Sequence, residues 1–235
     1  MNRTIELTPR LAMVARLTPP GAVLVDVGTD HAYLPAALIQ QGKIPYAIAA
    51  DLRQGPLSRA KETVRECGLT DRIRFRLCDG LTGIRPEEAE CIVIAGMGGE
   101  TIAHILSAAP WTREKGVPLV LQPMSSLPDL RLWLQKNGYE ILREELAREG
   151  ETIYTAMLVR AGEMTALTTG ELEAGRLDRD PLRGLLLDKL MAKTQRAAAG
   201  LERSRQEGAA ARREELLALL AELKQMKKEW ETWQQ

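Results

Sequence analysis

The stretch that most constrains this chain is Val23-Leu24-Val25-Asp26-Val27-Gly28-Thr29-Asp30-His31-Ala32-Tyr33-Leu34-Pro35. A β-rich apolar run breaks at Gly28 into a polar loop, and a helical pattern starts near Leu34, which predicts a strand, a tight turn and a helix. In an open parallel α/β sheet the turn after the first strand is where nucleotide-like ligands bind, and a glycine there lets the backbone approach the ligand closely. Asp30, His31 and Tyr33 stand where a pyrophosphate site needs glycine, so a dinucleotide is disfavoured. Asp26 at the strand end and Asp30 in the loop suit a cofactor with positive charge and an amino group, as in S-adenosylmethionine. A simple capping role for Asp26 and a surface role for His31 are open alternatives from this loop alone.

The same grammar repeats along the chain. Thr8-Pro9-Arg10 opens a short helix with Thr8 at the cap and Pro9 at the first helical position, which can place Arg10 near a substrate or phosphate. Tyr46 to Asp51 reads as a second buried strand ending in an acid, about 20 residues beyond the glycine turn, where ribose hydroxyls are bound. Ile73 to Leu77 is a third strand that runs into Asp79 and Gly80, putting another acid within reach of an adenine amino group. Cys91 to Ala95 is the fourth, followed by Gly96-Met97-Gly98-Gly99, whose packed glycines let two planar groups lie close to the main chain. His104, on the helix after that loop, reads as a packing or surface residue. A fifth strand, Leu119 to Leu121, ends at Gln122, which either reads a base edge or caps the turn. Tyr139 to Leu146 and Thr152 to Val159 form a terminal pair about the turn Glu149-Gly150.

From Leu182 onward the chain has no strand pattern. Leu187, Leu190, Thr194, Ala197 and Leu201, then Leu216, Leu219, Leu223, Met226, Trp230 and Trp233, recur at steps of three and four, which predicts two helices folded back near Gly208 as an antiparallel coiled coil. Lys189, Lys193, Arg196, Arg203, Arg205, Arg212, Arg213, Lys224, Lys227 and Lys228 lie outside that seam. Acids are mixed among them, so an RNA-contacting face and an ordinary solvated one are equally open. The expected architecture is an α/β Rossmann-like class I methyltransferase domain with a seven-stranded sheet, residues 1–162, followed by a helical coiled-coil hairpin, residues 163–235.

Charge and cysteine usage narrow the class further. Lys and Arg balance Asp and Glu at 32 each, so no overall basic field announces a nucleic acid. Cys67, Cys78 and Cys91 have neither metal-ligand nor disulfide spacing. No run is long enough to span a bilayer and no export signal precedes the fold, so a cytoplasmic protein with no membrane partner is expected. Two heptad helices in one chain favour a monomer.

The motifs Leu7-Thr8-Pro9-Arg10-Leu11, Asp26 to Pro35, Ala50-Asp51, Gly55-Pro56-Leu57, Asp79-Gly80-Leu81, Ala95 to Gly99, Gln122-Pro123-Met124 and Asn137-Gly138-Tyr139 appear in this order over the first two-thirds of the chain. Together they resemble the bacterial tRNA (adenine-22-N1)-methyltransferase family, and the two loops Asp-His-Ala-Tyr-Leu-Pro and Ala-Gly-Met-Gly-Gly carry most of the specificity. The resemblance implies methyl transfer from S-adenosylmethionine to N1 of adenine 22 in tRNA, forming 1-methyladenosine. It implies cofactor contacts at Asp26, Gly28, Asp30, His31, Asp51, Asp79, Gly80 and Gly96. It also implies a target-base pocket shaped by Met97, Gly98, Gly99 and Gln122, with Arg10 beside it. The Asn/Asp-Pro-Pro-aromatic motif of exocyclic-amine methyltransferases is missing after strand four, which argues against N6 chemistry. Two other readings share these features: a methyltransferase acting on another RNA or a small molecule, and a non-catalytic RNA-binding protein built on the same scaffold.

Overall fold

The computed structural model describes residues 2–176, 179–202 and 206–234, so Arg203 and Arg205 lie outside the described residues. Two compact units emerge, Met1–Met164 and Thr165–Gln235. The first is built on seven strands: β1 (Leu24–Val27), β2 (Ala47–Asp51), β3 (Ile73–Leu77), β4 (Cys91–Gly98), β5 (Leu119–Ser125), β6 (Tyr139–Glu149) and β7 (Thr152–Ala161). Their spatial order is β3-β2-β1-β4-β5-β7-β6. β1 pairs in parallel with both β2 and β4, while β7 runs antiparallel between β5 and β6. β1 and β2 read as continuous apolar runs because both of their faces are covered, as parallel strands require.

Six helices accompany the sheet: α1 (Pro9–Leu17), α2 (Tyr33–Gln40), α3 (Gln54–Glu66), α4 (Gly99–Ser107), α5 (Trp111–Glu114) and α6 (Leu127–Lys136). One core layer gathers Met13, Val14, Leu38, Ala49 and Val93; the other gathers Val25, Ile92, Ile102, Leu119 and Leu134. Alternate residues of β1 and β4 therefore feed opposite layers, as the pleat demands. Thr8 caps α1 as expected, its hydroxyl accepting from Leu11 N. Across α6 and β6, Arg131 and Glu144 form a buried ion pair at 2.7 Å, with side-chain exposures of 0% and 5%.

The second unit holds α7 (Thr169–Ala174), α8 (Arg183–Leu201) and α9 (Ala209–Trp233). α7, with its Thr168/Glu171 capping box, had no signal in the helical periodicity. Gly208, left-handed at φ +80°, precedes α9 where the fold-back was expected. The seam is centred on Leu187, Thr194, Ala198, Leu219 and Leu223. Ala197 is exposed instead of Ala198, and Trp233 remains 46% exposed, because neither falls on the face the partner helix covers. Gly184 admits the Trp230 ring: a Cβ there would sit 2.5 Å from the indole.

Removing one partner of the Arg131–Glu144 pair strands a buried charge. Arg131→Leu is expected to cost about 3–5 kcal/mol in chemical denaturation, and Arg131→Leu/Glu144→Leu to recover more than half of that. Equal losses in the two variants would contradict this account of the pair.

Candidate functional site

The carboxyl ends of β1 to β5 bring the two informative loops together. Gly28 closes β1 at φ +74°, and a Cβ on it would overlap the Met97 methyl group, so the tip of Met97 lies directly on the glycine turn. Three residues beyond Gly28 the backbone turns left-handed again, at His31 (φ +63°) and Ala32 (φ +53°). Two successive non-glycine residues in this region cost of order 1–3 kcal/mol each and are held only where the surrounding fold imposes them. Here Ala32 is fully buried at the start of α2, and His31 stacks on Tyr33 at 5.0 Å.

The acids take three distinct environments. Asp26 is buried, and desolvation pushes its carboxyl up to about 6, reinforced by the charge of Asp51; Thr29 beside it opposes the rise without closing a hydrogen bond. Asp51 is 8% exposed and one oxygen accepts from Arg53 N at 2.7 Å, a turn-capping contact that leaves the second oxygen free of it. Asp79 is exposed, and its carboxylate has no hydrogen bond or ion pair among the described residues. Asp30 is exposed as well and pairs with Arg59 at 2.9 Å, a partner that sequence spacing did not single out. Gly80, at φ +53°, brings the β3 loop against Ile105 of α4.

At the end of β4 the expected loop is part of the sheet. Ala95 pairs with Gln122 and Met97 with Pro123, so Gly96 is the extra residue of a bulge, at φ +80°. Such a bulge re-aims its neighbours, which is how Met97 comes to point at Gly28. Gly99 is buried where α4 starts, with the Ser126 carbonyl 2.5 Å from any Cβ placed on it. Gly98 faces the Ser125 hydroxyl, 3.1 Å from the corresponding position. Gln122 is completely buried: Oε1 accepts from Arg10 at 2.8 Å and Nε2 donates to the Pro123 carbonyl at 2.8 Å. It therefore presents no free edge to a base. Arg10 lies over the Tyr154 ring at 5.8 Å, and Glu149 accepts from its backbone N–H at 2.8 Å. His104 is exposed on α4. Ser125, Glu149 and Tyr154 join the site only through the pairing of β5, β6 and β7, which left no local sequence signal.

In the helical unit, considered by itself, the cations divide into two groups. Lys227 binds Asp188 at 2.8 Å and covers the Trp230 ring, Arg212 pairs with Glu215, and Arg213 with Glu202. Lys193, Arg196, Lys224 and Lys228 are exposed and carry no ion pair among the described residues.

A 3-2-1-4-5-7-6 sheet with β7 reversed, carrying acids and glycine turns at the carboxyl ends of its first strands, defines a class I methyltransferase. Comparison with known proteins agrees. A family model described as a methyltransferase domain matches residues 7–157. The tRNA (adenine(22)-N(1))-methyltransferase of Bacillus subtilis (strain 168) is 40% identical over 174 residues, 74% of this chain and 73% of that protein. The crystal structure of the B. subtilis m1A22 tRNA methyltransferase TrmK matches with a TM-score of 0.84 at 32% identity, covering 95% of this chain and 99% of that one. M. capricolum TrmK in complex with S-adenosyl-homocysteine matches with a TM-score of 0.77 at 26% identity, covering 96% and 98%. The chain belongs to the tRNA (adenine(22)-N(1))-methyltransferase family.

Asp26 gives the site a stability signature. Its native carboxyl binds a proton more tightly than the unfolded one, so its contribution is full below about pH 4 and is lost as pH rises through about 6. Asp26→Asn is expected to be more stable than the wild type at pH 8, by up to about 3 kcal/mol, with the advantage shrinking towards pH 4. Parallel stability curves in urea titrations across that range would contradict the assignment.

Proposed function

We infer that this chain transfers a methyl group from S-adenosylmethionine to N1 of adenine 22 in tRNA, forming 1-methyladenosine. The observation that carries the reading is the Gly96 bulge: it places Met97 against the Gly28 turn on one side and leaves Gly96 beside Arg10 on the other. Membership of the family points the same way.

The residues present suit S-adenosylmethionine. Asp26 is a buried carboxyl with no cation bonded to it, and the Thr29 hydroxyl next to it is also unsatisfied, so an incoming ammonium group would relieve both. When bound, S-adenosylmethionine supplies an electrophilic methyl on a positively charged sulfur. In the arrangement we propose, Gly28 gives close backbone approach, Asp26 and Asp30 serve the methionine end with His31 nearby, Asp51 holds the ribose, and Asp79 with Gly80 takes the adenine amino group. Gly96 separates the two halves of the site. Met97, Gly98 and Gly99 shape the target-base side, where Gln122 and Arg10 also lie.

N1 of adenine has an in-plane lone pair, so the chain has no proton to remove from the nucleophile before transfer. Its work is to hold the base in line at short range and to exclude other geometries. The base must leave its stack first, at a cost of a few kcal/mol. The helical domain, residues 163–235, is assigned the grip on the tRNA backbone, which the exposed Lys193, Arg196, Lys224 and Lys228, without an ion pair among the described residues, support. Residues 1–162 carry the transfer. A single chain in the cytoplasm suffices in this reading: the hairpin seam closes within one chain, and no helix among the described residues is long and apolar enough to cross a membrane.

Methyl transfer from labelled S-adenosylmethionine to unmodified tRNA transcripts with adenine or guanine at position 22, followed by nucleoside analysis, tests the function. Label is expected as 1-methyladenosine in the adenine transcript and absent from the guanine one. Equal labelling of both, or a different methylated nucleoside, would overturn the site or the atom.

A further inference from the structure

Arg10 is held ready for an anion that the chain itself does not provide. Its guanidinium is half-buried, donates once to Gln122 Oε1 at 2.8 Å, lies over the Tyr154 ring, and has no ion pair among the described residues. A guanidinium carries five N–H donors, so most of its capacity is unspent. Glu149 is occupied with the start of α1: it takes the backbone N–H of Arg10, which together with the Thr8 side chain and the charge of Arg10 holds its carboxyl below the ordinary range. Glu149 thus fixes where Arg10 begins and attracts its guanidinium through space without closing an ion pair on it.

Gln122 fixes where that guanidinium ends. A fully buried carboxamide is costly unless both of its faces are bonded. Because Nε2 is tied to the Pro123 carbonyl and touches Met124 Sδ at 3.6 Å, Oε1 must face Arg10; the flipped amide would set an NH₂ against a cation. The held Arg10 Nη1 lies 3.8 Å from where a Cβ on Gly96 would stand, at the bulge that parts the two halves of the site.

Charge decides what this cation can meet. Methylation at N1 leaves positive charge on the purine, so a guanidinium against the ring would oppose the reaction. A phosphate has the opposite sign and the fork geometry that arginine bonds in pairs. A nucleotide drawn out of its stack brings its flanking phosphates to the mouth of the pocket. We propose that Arg10 grips a phosphate flanking the target adenosine, and that Gln122 acts through Arg10 as a positioning residue. This rests on the reading of the site as one that methylates an adenosine in RNA.

The test is a chemical cycle on the full-length enzyme. Transcripts are assembled with one uncharged methylphosphonate linkage 5′ or 3′ to the target adenosine, the adjoining ribose being 2′-O-methylated both there and in phosphodiester controls. Arg10→Ala is expected to lower kcat/KM for the control tRNA by about ten- to a hundredfold and to reduce its salt slope by about one, with S-adenosylmethionine affinity unchanged. At one of the two linkages the wild type should lose a similar factor, while Arg10→Ala should lose almost nothing more. Arg10→Lys should fall between, and Gln122→Leu should weaken the same coupling while still binding S-adenosylmethionine, which shows it folded. Additive losses at both linkages would overturn the phosphate assignment. So would a fall in S-adenosylmethionine affinity in Arg10→Ala, since the anion would then be the carboxylate of the methyl donor. Wild-type enzyme inactive on the control transcript would instead refute the underlying function.

Discussion

The parallel pairing of β1 with β2 on one side and β4 on the other is the constraint on which the rest of this structure depends. The chain leaving β1 turns to β2 on one side and the chain leaving β4 turns to β5 on the other, which opens a crevice between the carboxyl ends of β1 and β4. The candidate site is gathered there: Gly28, the acids Asp26, Asp51 and Asp79, the Gly96 bulge, and the end of β5. The antiparallel insertion of β7 then brings Tyr154 beside β5, and the hairpin that precedes it brings Glu149 to the start of α1.

Within that crevice the backbone does most of the shaping. Left-handed conformations at Gly28, His31, Ala32 and Gly96 allow approaches that an ordinary strand end would block. The contact of Met97 with the Gly28 turn ties the first loop to the second, and Gly99 ties the second to the Ser125-Ser126 turn. Beyond the end of β4 the exposed side chains of Glu100 and His104 stand on α4, with no hydrogen bond or ion pair among the described residues. Glu149 is held below the usual carboxylate range by its contacts to Arg10 and Thr8, Gln122 is buried, and His104 is exposed on α4. In our reading the site needs none of them as a base, because adenine N1 brings its own in-plane lone pair and only has to be positioned.

Much of this was legible in the sequence because glycine and acid placement punctuates parallel strands. The strands, the turn at Gly28, the acids at strand ends and the fold-back at Gly208 follow from local pattern. What could not be read depended on pairing across the sheet or between helices. The Gly-rich stretch after Ala95 is a loop by composition and a bulge by register, because β5 continues beyond Leu121 and pairs with it. Local sequence leaves Gln122 open between reading a base edge and capping the turn, and its burial with bonds to Arg10 and Pro123 fits the second. Ala197 and Ala198 are equivalent in a heptad count, and only contact with α9 chooses between them.

The central claim is that the chain orients adenine N1 and does not activate it, and the pH dependence of the transfer step tests this most directly. Single-turnover methyl transfer with saturating S-adenosylmethionine and tRNA should have a rate constant that is flat from about pH 6.5 to 9, since no protein base needs to be free. A rate constant rising tenfold per pH unit before levelling within that range would place a titrating base in the reaction and contradict the account.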